Sequence, residues 1–240
     1  MATQKASTTA IEVPQMSIGR MEVTLVGDTP LIVHAWSTKA KKEMLDKQMK
    51  KAKPGKQSKD PNQDFEDSLY KLGDGGYGFP SVAFKAAAIT AVTSVSGVTK
   101  VAARQAFHVH GEQTELGGAF DGVKMRMDLV RIRGAEPTMR EDMVRIGMGT
   151  ADIRYRGEFY PWYVVLTVRY NTHALSEGQI LNLFNTAGFG VGIGEWRSER
   201  DGNHGLFHCA TEADLELIAE EEALAKKTRT AKPKRLKEAA

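Results

Sequence analysis

The sequence contains a single cysteine, Cys209, among its 240 residues. A disulfide framework is therefore excluded, and a zinc site built on cysteine thiolates is not expected. The shortage of cysteine fits a reducing compartment, so we expect a cytoplasmic protein. No apolar run approaches the length of a membrane span, and residues 1–14 lack the apolar segment of a signal peptide. We therefore expect a protein that works without a membrane.

Motifs of nucleotide-dependent and metal-dependent enzymes are also missing. No glycine series ends in Gly-Lys-Ser/Thr, and no His-Glu-x-x-His motif or paired-acid constellation is present. The formal net charge is only +3, so the charge of the whole chain does not argue for nucleic acid. We expect no cofactor, no metal ion and no enzymatic activity.

A glycine-rich stretch at 188–205 is the most informative feature that is present. Such a cluster implies positive φ angles or the close approach of another backbone. Because an aromatic residue and two arginines follow at once, we predict that a phosphate-bearing chain binds here. The alternative is a hairpin that only turns the chain. The candidate binding residues of this stretch are Gly192, Gly194, Trp196, Arg197 and Arg200.

Basic residues concentrate in two further segments, at 39–59 and 226–237. Lysine neutralises phosphate without reading sequence, and affinity built in this way falls with salt. The alternative for each segment is a solvated helix face or a solubility tail. Taken with the glycine-rich stretch, these segments favour nucleic acid, and Lys39, Lys41 and Lys42 are the candidate contacts.

A strand-like segment at 124–133 places Arg131 and Arg133 on one face. Arginine forks suit phosphate oxygens and stack on bases, so both residues are candidate contacts. Aromatic residues follow in the next strand, and such rings can stack on unpaired bases. For Trp162 and Tyr163, however, we prefer a place in the core or in an interface.

Two histidines, His108 and His110, share one face of a predicted strand. They could begin a metal site or act as a general acid and base, but no third ligand is evident nearby. His208 and Cys209 could form a nucleophilic pair. For Cys209 we prefer the interpretation of a buried thiol.

Apolar periodicity and turn residues divide the chain into regions. We predict a flexible N-terminus at 1–17 and a folded domain at 18–210, with an inserted helical and loop subdomain at about 37–78. An acidic helix at 211–225 and a disordered basic tail at 226–240 follow.

The folded domain is predicted to be α+β. A strand at 20–26 and a helix at 82–95 precede several β-segments, and a strand at 162–170, a helix at 176–186 and a strand at 204–210 follow. This order resembles the ferredoxin-like, RRM-like β-α-β-β-α-β plan. Domains of the RRM type bind single-stranded nucleic acid through their sheet face or their loops.

Three short motifs together resemble the RAMP superfamily, which includes the RRM-fold backbone subunits of CRISPR effector complexes. The segment 29–31 (TPL) follows the first strand. The segment 79–88 (FPSVAFKAAA) is similar to the opening of the superfamily's first RRM helix, and 188–205 to its late glycine-rich loop. Ala86 stands where that helix opening usually has glycine.

The resemblance implies that the helix start and the glycine loop lie near the RNA backbone. The matching positions here are Ser81, Lys85, Gly192, Gly194 and Arg197. It also implies that the protein binds single-stranded nucleic acid without sequence preference, with RNA favoured over DNA. The implied partners are copies of this chain in a head-to-tail filament and other subunits of an effector complex.

Two other classes of protein stay open. One is a metal-independent, RAMP-like endoribonuclease that uses His108 or His110 as the general base. The other is a structural or assembly protein of a phage, in which the acidic helix and the basic tail pair between subunits. Our preferred interpretation is the nucleic-acid-binding subunit.

Overall fold

The computed structural model describes residues 15–51, 58–120, 122–146 and 149–231. Its strands are β1 (Ile18–Gly27), β2 (Leu31–Val33), β3 (Gly78–Pro80), β4 (Phe107–His110), β5 (Glu112–Gly117), β6 (Lys124–Gly134), β7 (Thr138–Ile146), β8 (Thr150–Phe159), β9 (Trp162–Asn171) and β10 (Phe207–Cys209). Its α-helices are α1 (Thr38–Gln48), α2 (Pro61–Ser68), α3 (Ser81–Ala91), α4 (Lys100–Ala106), α5 (Glu177–Gly190) and α6 (Glu212–Ala231). In this described part of the chain, no helix is long and apolar enough to cross a membrane.

The strands form two antiparallel sheets, so the predicted α+β class is confirmed. In the main sheet, β1 lies between β10 and β9. The other edge of β9 is shared, because β4 pairs with its C-terminal half and β6 with its N-terminal end. β3 and β5 pair with β6. The second sheet has the order β2-β8-β7.

Alternating side chains give the main sheet two different faces. The inner face carries buried apolar residues such as Val23, Leu25 and Leu166. It packs against α3 and α5, which contribute Phe84 and Phe184 to one continuous hydrophobic core. The opposite face, called the outer face below, carries the polar residues that alternate with these.

α6 crosses one end of the outer face. At the β10 edge, Asp214 Oδ2 lies 3.1 Å from His208 Nε2. Two turns later, the Glu222 carboxylate accepts hydrogen bonds from the Tyr163 hydroxyl at 2.8 Å and from Arg133 at 2.9 Å. The strand register aligns the residues beneath the helix in one row: His208, Val26, Tyr163 and Arg133. The other end of the outer face is not crossed by α6.

Several predicted boundaries differ from the structure. α5 continues to Gly190 instead of ending at 186, so two of the alternating glycines are helical. α6 continues to Ala231, into the segment predicted as a disordered tail, because strong helix formers such as alanine, lysine and arginine follow its acidic half. The remaining tail at 232–240, the N-terminal residues 1–14 and the insertion residues 52–57 lie outside the described residues.

Candidate nucleic-acid interface

The glycine-rich stretch folds against the chain's own backbone. Gly192 and Gly194 have φ angles of 70° and 80°, so the predicted positive φ angles are present at both. A Cβ atom on Gly194 would lie 2.5 Å from the Ile32 carbonyl oxygen, and one on Gly188 would lie 1.7 Å from the Phe207 carbonyl oxygen. Packing of the chain on itself therefore explains these glycines without a bound phosphate.

The basic side chains of this stretch differ in their availability. Both Nε and Nη2 of Arg197 donate to Glu199 Oε2, at 3.0 and 2.8 Å, and Nη1 donates to the Gly194 carbonyl at 3.0 Å. The predicted role of Arg197 as a free phosphate contact is therefore not supported, because a carboxylate already neutralises its charge. Arg200 is exposed and its side chain has no partner among the described residues.

Trp196 supports an ion-pair network beneath the second sheet. Arg156 is only 2% exposed and donates to Asp142 at 2.9 Å, while Arg140 donates to the same carboxylate at 2.8 Å. Burial raises the pKa of Asp142, but hydrogen bonds from Arg140, Arg156 and Trp196 outweigh this and hold the pKa below its usual value. The Trp196 indole thus has a structural partner, which leaves its predicted stacking role without specific support.

α3 and the glycine-rich stretch face each other across a cavity of about 410 Å³. Gly192, Gly194 and Arg197 line it, as the sequence motifs suggested. However, Glu195 and Glu199 also line it. Since two carboxylates oppose the entry of another anion, this cavity is a poor place for a phosphate.

The two predicted arginines of β6 are both ion-paired. Arg131 donates to both oxygens of Glu112, at 3.0 and 2.9 Å, and lies 2.9 Å from Asp74. Arg133 pairs with Glu222 of α6. The prediction of Arg131 as a phosphate contact is not supported, because two carboxylates more than balance its charge. The Arg133 side chain is 43% exposed, and its Nη1 donates to the Glu222 carboxylate.

The lysines of α1 stand apart from the centre of the main sheet. Lys39 and Lys42 are exposed, whereas Lys41 donates to the Gly117 carbonyl at 3.1 Å. This contact places α1 beside the end of β5. The three predicted lysines therefore extend a basic surface at the edge of the molecule, where they add to electrostatic attraction.

Of the two α3 residues implied by the family resemblance, only one reaches the surface. The Ser81 hydroxyl is buried and donates to Asp128 at 3.0 Å. This contact removes Ser81 from a direct role in binding. Lys85, in contrast, extends past β4, where its Nζ lies 3.1 Å from His108 Nδ1.

Lys85 joins a group of basic residues that no sequence pattern connects with one another. The register places His108 opposite Arg169, and Arg169 opposite Arg20, so these three lie in one row across β4, β9 and β1. We call Arg20, Arg169, His108 and Lys85 the basic row. Within the part of the chain that the structure describes, no carboxylate forms an ion pair with any of them. His110 follows on the same exposed face.

The basic row lowers the pKa of its own histidine. Partial burial, followed by the charges of Lys85, His110 and Arg169, holds the pKa of His108 below its usual value. The imidazole is therefore neutral at pH 7, and its Nδ1 accepts a hydrogen bond from the Lys85 ammonium. Like charges gathered without a counterion create a positive potential that an anion would relieve.

Other chemistry finds less support in the structure. Across the described residues, no three His, Cys, Asp or Glu side chains are close enough together to hold a metal ion. Burial raises the pKa of the Cys209 thiol to about 11, so the thiol is protonated at neutral pH. A nucleophilic pair of Cys209 with His208 is therefore disfavoured. The predicted burial of Cys209 is only partial, because its side chain is half-buried.

Comparison with known proteins gives no family assignment: no family model and no curated protein matches this chain. The similarity to the RAMP superfamily thus remains an inference from three short motifs. The outer face and the charges that it carries are the features of this chain that bear on its function.

Proposed function

We propose that this protein is a sequence-nonspecific, single-stranded nucleic-acid-binding subunit that favours RNA and assembles head-to-tail along the strand. The observation that carries the proposal is the basic row, in which three cations, Arg20, Arg169 and Lys85, lie with the neutral His108 at an exposed sheet face without ion-paired carboxylates. Adjacent strands lie about 4.8 Å apart, so the part of the row from Arg20 to His108 spans about 10 Å. This is an extended target that suits a phosphate backbone.

The topology of the main sheet supports a ferredoxin-like fold for this subunit. Such a fold places its four strands in the order fourth, first, third, second, with both helices on one face. Here β10, β1 and β9 take the first three of these places, and β4 and β6 share the last. α3 and α5 both lie on the inner face. The outer face is then the surface that RRM-type domains offer to a single strand.

The composition of the basic row favours contact with the backbone over base recognition. Arginine and lysine bind phosphate oxygens without reading sequence. The next outer-face residues are Thr167 and Val165 in β9 and Glu22 and Thr24 in β1, and none of these is an aromatic residue that could stack on a base. We therefore expect little discrimination between sequences. The preference for RNA follows from the family resemblance.

Self-assembly is supported by apolar side chains on the second sheet. Met143 is 75% exposed and stands opposite Ile153, which is 43% exposed, and Met139 lies on the same face. Exposed apolar patches of this kind mark interaction surfaces. A contact between this patch and a different surface of the next copy would extend into an open filament.

A binding titration tests the proposal. We expect fluorescence anisotropy to detect tight binding of single-stranded RNA and DNA of about 30 nucleotides, and weaker binding of duplex DNA. If about four phosphates are contacted, affinity should fall roughly 50-fold between about 50 and about 200 mM salt. Absence of binding at low salt would overturn the proposal and favour the structural-protein alternative.

A further inference from the structure

α6 rests on the outer face through a narrow stripe of its surface. Asp214, Ile218 and Glu222 recur every four residues and are the half-buried positions among its described side chains. Leu215 and Leu217 are 47% and 60% exposed and so contribute little to docking. Polar contacts hold the helix at Asp214, in its first turn, and at Glu222, near its middle, and the half-buried Ile218 lies between them. Contacts of this kind exchange readily with water or with a competing ligand.

The residues beneath Glu222 are the kind that bind nucleic acid. Tyr163 and Arg133 are direct cross-strand neighbours on β9 and β6. Tyr163 is buried but stands outside the main hydrophobic core, and its hydroxyl and the Arg133 guanidinium both donate to one carboxylate oxygen of Glu222. Burial and this hydrogen bond raise the pKa of Tyr163 to about 12. A phosphate oxygen could accept the same two hydrogen bonds.

This corner is continuous with the basic row. Tyr163 and Arg169 lie on the same face of β9 and are six residues apart, which corresponds to about 20 Å along the strand. Along β9, Val165 and Thr167 separate them on that face, and the exposed Glu22 of β1 lies opposite Thr167. A single-stranded nucleic acid bound along β9 from the basic row would therefore reach α6 at Glu222.

We propose that Arg133 and Tyr163 form a second nucleic-acid-binding subsite on the outer face, and that Glu222 occupies it as a displaceable substitute for phosphate. This inference rests on the proposed function. A strand bound at the basic row brings a phosphate that competes with Glu222, and α6 leaves the sheet. Until then, the contact of α6 lowers the affinity, because part of the binding free energy is spent on displacing the helix.

Two matched variants of α6 test the subsite. Glu222→Gln removes the charge that pairs with Arg133, whereas Glu221→Gln removes the same charge from an exposed neighbouring position. We expect Glu222→Gln to bind single-stranded RNA about three- to tenfold more tightly, and Glu221→Gln to change affinity less than about twofold. Adding Arg133→Ala to Glu222→Gln should cancel the gain. Hydrogen exchange of α6 amides should accelerate when RNA binds.

The outcomes separate this inference from the function on which it rests. Equal affinities of the Glu222→Gln and Glu221→Gln proteins, with normal binding by the unmodified protein, would overturn the subsite alone. An affinity gain that survives Arg133→Ala would do the same. If neither the unmodified protein nor any variant binds RNA, the proposed function fails, and the subsite fails with it. Glu221 is exposed and Glu222 is half-buried, and thermal melts verify that each variant is folded.

Discussion

Exchange of both Lys85 and Arg169 for glutamate should reduce the affinity for single-stranded RNA at least 100-fold at low salt. Each substitution replaces an attractive contact with phosphate by a repulsive one, and a charge-assisted hydrogen bond at a partly exposed site contributes about 1.5 kcal/mol or more. In the basic row the two residues lie on either side of His108, so one bound RNA strand would lose both contacts. Anisotropy titrations of the double variant and the unmodified protein measure the loss.

The matched control is the double variant Lys47→Glu and Arg145→Glu. Both residues are exposed, lie outside the basic row and give the same change in formal charge. We expect a loss of about fivefold or less, from long-range electrostatics alone. Equal losses in the two double variants would mean that net charge, and not the basic row, governs binding.

Gly188→Ala should cost about 2–4 kcal/mol of unfolding free energy, even though alanine normally stabilises a helix interior by about 1 kcal/mol over glycine. The added Cβ would lie 1.7 Å from the carbonyl oxygen of Phe207 in β10. Because that atom belongs to the backbone of a buried strand, α5 and β10 must separate to relieve the overlap. Urea unfolding measures the change, and a lowered midpoint without a change in slope indicates reduced stability.

Gly190→Ala is the control for this effect. Gly190 lies in the same helix, but a Cβ there would meet no atom within 4 Å. We expect the variant to be as stable as the unmodified protein or up to about 1 kcal/mol more stable. If the two alanine variants unfold alike, the close packing of α5 on β10 is wrong, and the glycine spacing needs another explanation.

Local features of the fold could be predicted because short-range interactions determine them. Ser37 and Ser176 mark helix starts, and each side chain accepts a hydrogen bond from a backbone N–H three residues later. The apolar run of β9 indicates a central strand, and β1 and either β4 or β6 flank it in the structure. The positive φ angles of Gly192 and Gly194 followed from the glycine pattern in the same way.

The candidate site was harder to predict because long-range pairing decides which charges are available. Arg131 is neutralised by Asp74, which is 57 residues away, and Arg133 by Glu222, which is 89 residues away. No local pattern shows such partners. Conversely, Arg20 and Arg169 stand alone in their strands, and only the sheet register brings them together. Lys85 is indicated by both sources. The sequence motif predicts that it lies near the RNA backbone, and the structure places its ammonium group in the basic row.

The most direct test of where the RNA lies is photo-crosslinking with an RNA that carries 4-thiouridine. Mass spectrometry then identifies the crosslinked peptides. We predict crosslinks in β1, β4 and β9 around the basic row, and crosslinks in β6 that become more frequent when Glu222 is changed to glutamine. Crosslinks confined to α1 and to residues 191–205, with none on the outer face of the main sheet, would contradict this site.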